Sequence, residues 1–352
     1  MDSRVIKHAE TLVNWSTSVS EGDMVLIRAY PEAHDLVVAI TGEIAKRRAG
    51  YMILMENDEA LRTYLEYADD TTLSLFPRQY KSALEESDVV ILITAPNRID
   101  VLAESDSEKL ALRSKTRKPL FDLMMSKRWC DTLHPCYALA KQAGMSLEEY
   151  RDFVYNAILI DWNEISKEMS ILRDNLNRFK DIHIIGPETD LYAETAGRSW
   201  MMEDGKHNMP SGEVYTSPLE DSVEGRVYFD IPFLYQGNII EGVRLRFEKG
   251  SVVEYSAERG EQTLKSILNV DPGSSRLGEI AIGMNRGIKK HSMTMLFDEK
   301  MGDTIHCALG KALGECNGTN DSAIHVDMIK SMHKGKILAG SETIYNQGEF
   351  AY

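Results

Sequence analysis

Three short, almost wholly apolar runs early in the chain constrain its fold more than any other feature. They are Met24-Val25-Leu26-Ile27, Tyr51-Met52-Ile53-Leu54-Met55 and Asp88-Val89-Val90-Ile91-Leu92-Ile93-Thr94. A strand that is apolar on both sides must be covered on both faces, as in a parallel sheet with helices above and below it. The stretch from Ala33 to Arg48 lies between the first two runs and has the apolar spacing of a helix. No GxGxxG follows the first run, so the pattern predicts an α/β layer without a dinucleotide fingerprint.

Residues 105 to 180 predict mostly helix. Ser146-Leu147-Glu148-Glu149 has the form of a capping box, and a long helical pattern runs from it through Asp161 and Trp162 to about Phe179. The second half changes character. Ile182-His183-Ile184-Ile185 leads to a Gly-Pro turn, and strand-like runs follow at Gly225 to Asp230, Asn238 to Phe247 and Ser251 to Ser256. The Gly250 turn joins the last two as a hairpin. Helices are predicted over Arg259 to Leu268 and Asp303 to Leu313. This is an α+β pattern with a largely antiparallel sheet. The boundary is placed at the long helix, giving an α/β N-terminal domain over residues 1–178 and an α+β domain over 179–352.

Composition narrows the class of function. The chain has 352 residues, 43% of them hydrophobic, enough for two domains with real cores. The formal charge is −15 with no long basic run, which argues against nucleic acid as a partner. No stretch of about 18 uncharged apolar residues occurs, so no membrane span is expected. The segment MDSRVIKHAETLVNWS reads as an amphipathic helix and not as a signal peptide. Cys130, Cys136, Cys307 and Cys316 form no CxxC pair, and are expected to be reduced thiols in a cytoplasmic protein.

Residues able to hold a metal gather in the second half. In His325-Val326-Asp327 the imidazole and carboxylate are two apart, so on a strand they point to the same side. His306 lies in Asp303-Thr304-Ile305-His306-Cys307-Ala308-Leu309-Gly310, in the first turn of a helix if Asp303 is its cap. Glu213 follows the Pro-Ser-Gly turn in Asn208-Met209-Pro210-Ser211-Gly212-Glu213-Val214. Glu279 interrupts the apolar run Leu277-Gly278-Glu279-Ile280-Ala281-Ile282-Gly283, where an ionised carboxylate is costly unless paired or bound to a cation. Taken singly, each also reads as an ordinary structural residue. Together, two imidazoles and three carboxylates suit zinc, cobalt or manganese. Five ligands exceed the needs of one catalytic zinc and suit two ions that share a carboxylate.

These four segments, in this order, resemble the thermophilic aminopeptidase (aminopeptidase T) family of dinuclear metallopeptidases. Ser20-Glu21-Gly22-Asp23-Met24-Val25 and Gln142-Ala143-Gly144-Met145-Ser146 extend the similarity over nearly the whole chain. The resemblance implies a homodimer whose C-terminal domain binds two divalent ions through Glu213, Glu279, His306, His325 and Asp327. The implied reaction is removal of N-terminal residues from peptides by a metal-activated water, with Glu279 or Glu213 carrying protons. Which glutamate bridges and which carries protons stays open at this point. One position departs from the family pattern. Seven residues after His306 the family usually has a tyrosine, and here Leu313 stands; Tyr215, Tyr345 and Lys311 are the candidate substitutes. Two other readings follow. One is a mononuclear iron dioxygenase of the same fold, using His306, His325 and Asp327, for which Glu213 and Glu279 would be superfluous. The other is a metal-binding relative that has lost catalysis.

Overall fold

The computed structural model describes residues 1–103 and 105–351. They fall into two compact units, Met1–Ile160 with Gly205–Pro210, and Asp161–Asp204 with Ser211–Tyr352.

The three apolar runs form the first unit's sheet. Strands β1 (Met24–Ala29), β2 (Gly50–Met55), β3 (Val89–Thr94) and β4 (Arg128–Leu133) pair in parallel, with the short β8 (Asn208–Met209) added beside β4; the order is β2-β1-β3-β4-β8. The central strands are the most apolar, and Leu26, Ile27, Val90 and Ile91 are fully buried. The helix predicted over Ala33 to Arg48 is present as His34–Lys46. Residues 105 to 180 are mostly helical, as expected, with one strand among the helices, Arg128–Leu133, whose Arg and Asp break the apolar run that marks the other strands. One expectation here needs correction. The long helical pattern is two helices, Leu147–Ile158 and Trp162–Leu176. Ser146 opens the first with both hydrogen bonds of the capping box. Asp161 caps the second through the amides of Asn163 and Glu164, which stops the first from running on.

The second unit is an α+β unit with antiparallel sheets, as expected from the sequence. Its strands are β5 (Asp181–Gly186), β6 (Thr189–Glu194), β7 (Met201–Glu203), β9 (Glu213–Thr216), β10 (Glu224–Phe229), β11 (Phe233–Tyr235), β12 (Asn238–Ile240), β13 (Val243–Glu248), β14 (Ser251–Ser256), β15 (Leu277–Gly283), β16 (Thr304–Gly310), β17 (His325–Ser331), β18 (Lys336–Ala339), β19 (Glu342–Asn346) and β20 (Glu349–Phe350). An eight-stranded sheet runs β14-β13-β10-β6-β5-β18-β19-β20, and a five-stranded sheet runs β17-β16-β15-β9-β7. The run from Asn238 to Phe247 is two strands, β12 and β13, parted at Glu241-Gly242, where Gly242 takes a positive φ of 65°. The helix predicted over Asp303 to Leu313 is absent. Thr304–Gly310 is a central strand, buried at every position, and Asp303 precedes it at φ 61°, a left-handed turn and not a helix cap. Ile305, Cys307 and Leu309 alternate with period 2, and strand pairing on both sides overrides a weak local helix preference.

One face of the five-stranded sheet carries Val214, Ile280, Ile282, Ile305, Cys307, Leu309, Val326 and Met328. These join Ile184, Leu191, Val227, Phe229, Leu245 and Phe247 of the eight-stranded sheet, and Leu172 and Ile267 from helices, in one buried core. Strict alternation along β15 would put Leu277 and Glu279 on the same face. A bulge prevents this. Leu277 pairs with Leu309 and Glu279 with Ala308, leaving Gly278 as the extra residue. Leu277 therefore stays in the core and Glu279 turns to the opposite face. Ser217 Oγ donates to the Gly278 carbonyl at 2.6 Å and accepts from the Leu313 amide at 2.9 Å, which pins the bulge.

Glycine is required at this bulge, since a methyl group on Gly278 would lie 2.3 Å from the Lys311 carbonyl oxygen and 2.6 Å from that of Gly310. Gly278→Ala is expected to cost about 1–3 kcal/mol of stability. Gly42→Ala, within a helix and facing open space, is expected to gain about 0.5–1 kcal/mol instead. Urea unfolding of both variants checks this; an unperturbed Gly278→Ala midpoint would contradict the bulge account.

Candidate metal centre

The second face of the five-stranded sheet carries the chemistry. Register places Glu213 opposite Gly283, Tyr215 opposite Ala281, Ala281 opposite His306, Glu279 opposite Ala308, Ala308 opposite Asp327, and Gly310 opposite His325. All five candidate ligands thus share one face by period 2. The positions between them are Gly283, Ala281, Ala308 and Gly310, whose small side chains leave the middle of the face open.

The five residues converge, and they do so as two groups that share one member. Glu213, Glu279 and His306 offer ligand atoms within 4.8 Å of one another, and so do Glu279, His325 and Asp327. Glu279 divides its oxygens: Oε1 is 3.5 Å from His306 Nε2, and Oε2 is 3.0 Å from His325 Nε2. His306 Nε2 is also 3.4 Å from Glu213 Oε2, and His325 Nε2 is 3.5 Å from Asp327 Oδ1. His306 and Glu279 are buried, while the His325 side chain is 30% exposed, so the second group is the one open to solvent.

The backbone fixes both imidazoles. His306 Nδ1 donates to the Glu299 carbonyl at 2.9 Å, and His325 Nδ1 donates to the Lys311 carbonyl at 2.9 Å. This leaves Nε2 of each ring facing the carboxylates, the orientation that second-sphere carbonyls give to metal-ligating histidines. Without a cation, protons take the place of the ion. Burial alone would lower both imidazoles. The Glu279 hydrogen bond and the charges of Glu213, Glu279 and Asp327 outweigh it at His306, which is raised to about 9. Asp327 and Glu279 do the same at His325, raised to about 11. Burial pushes Glu213 up to about 7, against the pull of Lys300 and His306. Burial also opposes ionisation of Glu279, but the hydrogen bonds from the two imidazoles hold it well below the usual carboxylate range.

The donor set fits a divalent cation pair on a further observation. Glu213 Oε2 is buried and has no hydrogen-bond partner, although it points at His306 Nε2. A buried carboxylate oxygen left unsatisfied is costly, and a cation would satisfy it.

Two residues packed against the ligand group, Glu299 and Lys300, were not legible in the sequence. Lys300 is buried, bonded to Glu213 Oε1 and 2.7 Å from Glu299 Oε1. In Phe297-Asp298-Glu299-Lys300-Met301 the three charged residues read as a solvated turn, yet all three are largely buried. No local pattern marks them; only the fold brings them under Glu213 and His306. Of the three candidates to replace the missing tyrosine, Tyr215 lies on the ligand face, two residues from Glu213. Lys311 contributes its carbonyl to His325, and the Tyr345 hydroxyl is engaged 3.1 Å from Asp303 Oδ1. Leu313 offers its amide to Ser217 and no side-chain donor.

Comparison with known proteins places the chain in a family. Residues 1–350 match the family described as thermophilic metalloprotease (M29). Aminopeptidase 2 of Geobacillus stearothermophilus is 30% identical, with 92% of this chain and 90% of that protein covered. Aminopeptidase T of Thermus thermophilus is 27% identical, with 91% and 90% covered. The solved structure of wild-type AmpT from Thermus thermophilus aligns with a TM-score of 0.84 at 25% identity over 99% of both chains. A 2,5-dihydroxypyridine dioxygenase from Pseudomonas putida shares the fold, with a TM-score of 0.58 at 15% identity over 99% and 97% of the two chains. With the family match spanning almost every residue and a relative at 30% identity over nine-tenths of the length, this chain belongs to the thermophilic metalloprotease (M29) family of hydrolytic enzymes.

Proposed function

We propose that the protein is a metal-dependent aminopeptidase that removes N-terminal residues from peptides, working as a cytoplasmic homodimer. Glu213, Glu279, His306, His325 and Asp327 hold two divalent ions, of zinc, cobalt or manganese. The observation that carries this reading is the division of Glu279 between two imidazoles, one oxygen to each group. A single ion would not need both groups. Glu279, the member common to both groups, would be the carboxylate they share. Glu213 serves one position only, because Lys300 occupies its other oxygen.

When bound, such ions act as Lewis acids and lower the pKa of a water at neutral pH. The chain's own groups do the rest. The carbonyls of Glu299 and Lys311 accept from Nδ1 of the two rings and so turn Nε2 of each toward the carboxylates. Glu279 and Glu213 are the two glutamates at the centre, and one of them would carry a proton from the attacking water to the leaving amine. Tyr215 lies on the ligand face, but it does not occupy the position of the absent tyrosine. The dioxygenase likeness is one of fold, and the Glu213–Glu279–His306 group gives that chemistry no advantage.

Stripping the protein and reloading it with cobalt, zinc or ferrous iron tests the reading on an aminoacyl chromogenic substrate. Activity is expected with cobalt or zinc, and Glu279→Gln is expected to lose on the order of 1,000-fold, since several kcal/mol of charge stabilisation are removed. Ring opening of a dihydroxypyridine with ferrous iron and oxygen would overturn it. The raised imidazoles give a second expectation. At pH 7 both rings of the ion-free protein carry a proton that an ion must displace, so cobalt uptake releases about two protons per chain, and its affinity falls as pH is lowered below about 11 and more steeply below about 9. Calorimetry in buffers of different ionisation enthalpy reads the release; none at pH 7 would contradict it. Leu313→Tyr restores a hydroxyl at the departed position and is expected to raise turnover by up to about 100-fold. An unchanged rate would mean that another donor already acts.

A further inference from the structure

Glu299 and Lys300 sit under the first ligand group and are themselves a buried ion pair. The Lys300 side chain is 3% exposed and that of Glu299 14%. Burial works against the charge of Lys300, but Glu213 and Glu299 hold it firmly cationic. A buried ion pair of this kind adds little stability over an apolar pair of the same volume, so stability does not explain it. Its backbone is well held: the Asn285 amide donates to the Lys300 carbonyl at 2.9 Å, and the Ser292 amide and hydroxyl donate to the neighbouring Asp298 at 2.7 and 2.9 Å. One dipeptide therefore serves two ligands. The Glu299 carbonyl turns His306, and the Lys300 ammonium holds Glu213 Oε1.

Resting on the dinuclear reading above, we propose that Lys300 is a positioning residue that restricts Glu213 to one ligating oxygen and so keeps a coordination position open at the first ion. A carboxylate with both oxygens free can chelate a cation through both. With Oε1 on Lys300, only the unpartnered Oε2 is left to ligate. A catalytic ion needs such an open position for water or substrate, whereas a fully surrounded ion is structural. The ammonium also repels the ion, so the clamp weakens binding while it preserves reactivity. Affinity and turnover are thus set against each other by one side chain.

The test uses the full-length protein and cobalt as the probe. Lys300→Met alone would strand the Glu299 carboxylate, so Glu299→Gln is combined with it. The double variant is expected to bind one of its two cobalt ions about ten-fold tighter or more, to lose visible absorption intensity as that ion gains a ligand, and to lose turnover with little change in KM. Unchanged or weaker affinity with wild-type band intensity overturns the assignment. A measurement on the wild type needs no variant. In the cobalt-loaded crystal structure, one Glu213 oxygen on the ion and the other on Lys300 supports the proposal, and both on the ion overturns it. If the wild type binds fewer than two ions or fails to hydrolyse peptides, the dinuclear aminopeptidase reading falls and the proposal with it. Normal wild-type loading with an unaltered variant sinks the Lys300 assignment alone.

Discussion

The shared carboxylate of Glu279 is the contact on which the second unit's chemistry depends. It exists because β15 carries one residue too many. Without the bulge at Gly278, either Leu277 leaves the core or Glu279 enters it, and an unpaired carboxylate among Ile280, Ile282 and Cys307 would be costly to bury. With the bulge, one strand gives an unbroken apolar face to the core and a carboxylate to the other side. The neighbouring strands follow the same period, so a sheet built for packing also gathers on its other face the carboxylates and imidazoles that could hold a cation.

Electrostatics explains why the site needs a partner. Glu213, Glu279 and Asp327 crowd around His306 within 4.0 Å of its Nε2. Carboxylates this close repel one another unless positive charge lies between them. The ion-free protein supplies that charge from two protonated imidazoles and Lys300. Divalent cations would supply more of it and satisfy the Glu213 oxygen that accepts no hydrogen bond. The same balance explains the backbone carbonyls on both Nδ1 atoms, which fix the rings whichever cation is present.

Much of this was legible in the sequence, and the limits have physical causes. Continuous apolar runs identified β1, β2 and β3; β1 and β3 are mostly buried, as such runs lead one to expect, whereas β2 is an edge strand that stays largely exposed. β4 was missed since Arg128 and Asp131 interrupt it. The five ligands were legible as chemistry-bearing residue types in an order resembling a known family, and spacing alone placed His325 and Asp327 on one side of a strand. A helix is expected around His306 because Asp303 has the form of a cap, and the two polar residues of Thr304–Gly310, Thr304 and His306, are too few to show the period-2 pattern that pairing enforces. Lys300 and Glu299 were invisible. Their importance comes from burial and from neighbours more than 80 positions away in sequence, and a charged turn carries no sign of either.

The most direct test of this account is the number of divalent ions each chain holds. Equilibrium dialysis of the stripped protein against cobalt, followed by elemental analysis, is expected to give two ions per wild-type chain, with loss of paired binding when Glu279 is replaced by Gln. One ion per chain, or two that persist without the Glu279 carboxylate, would contradict the shared-carboxylate centre.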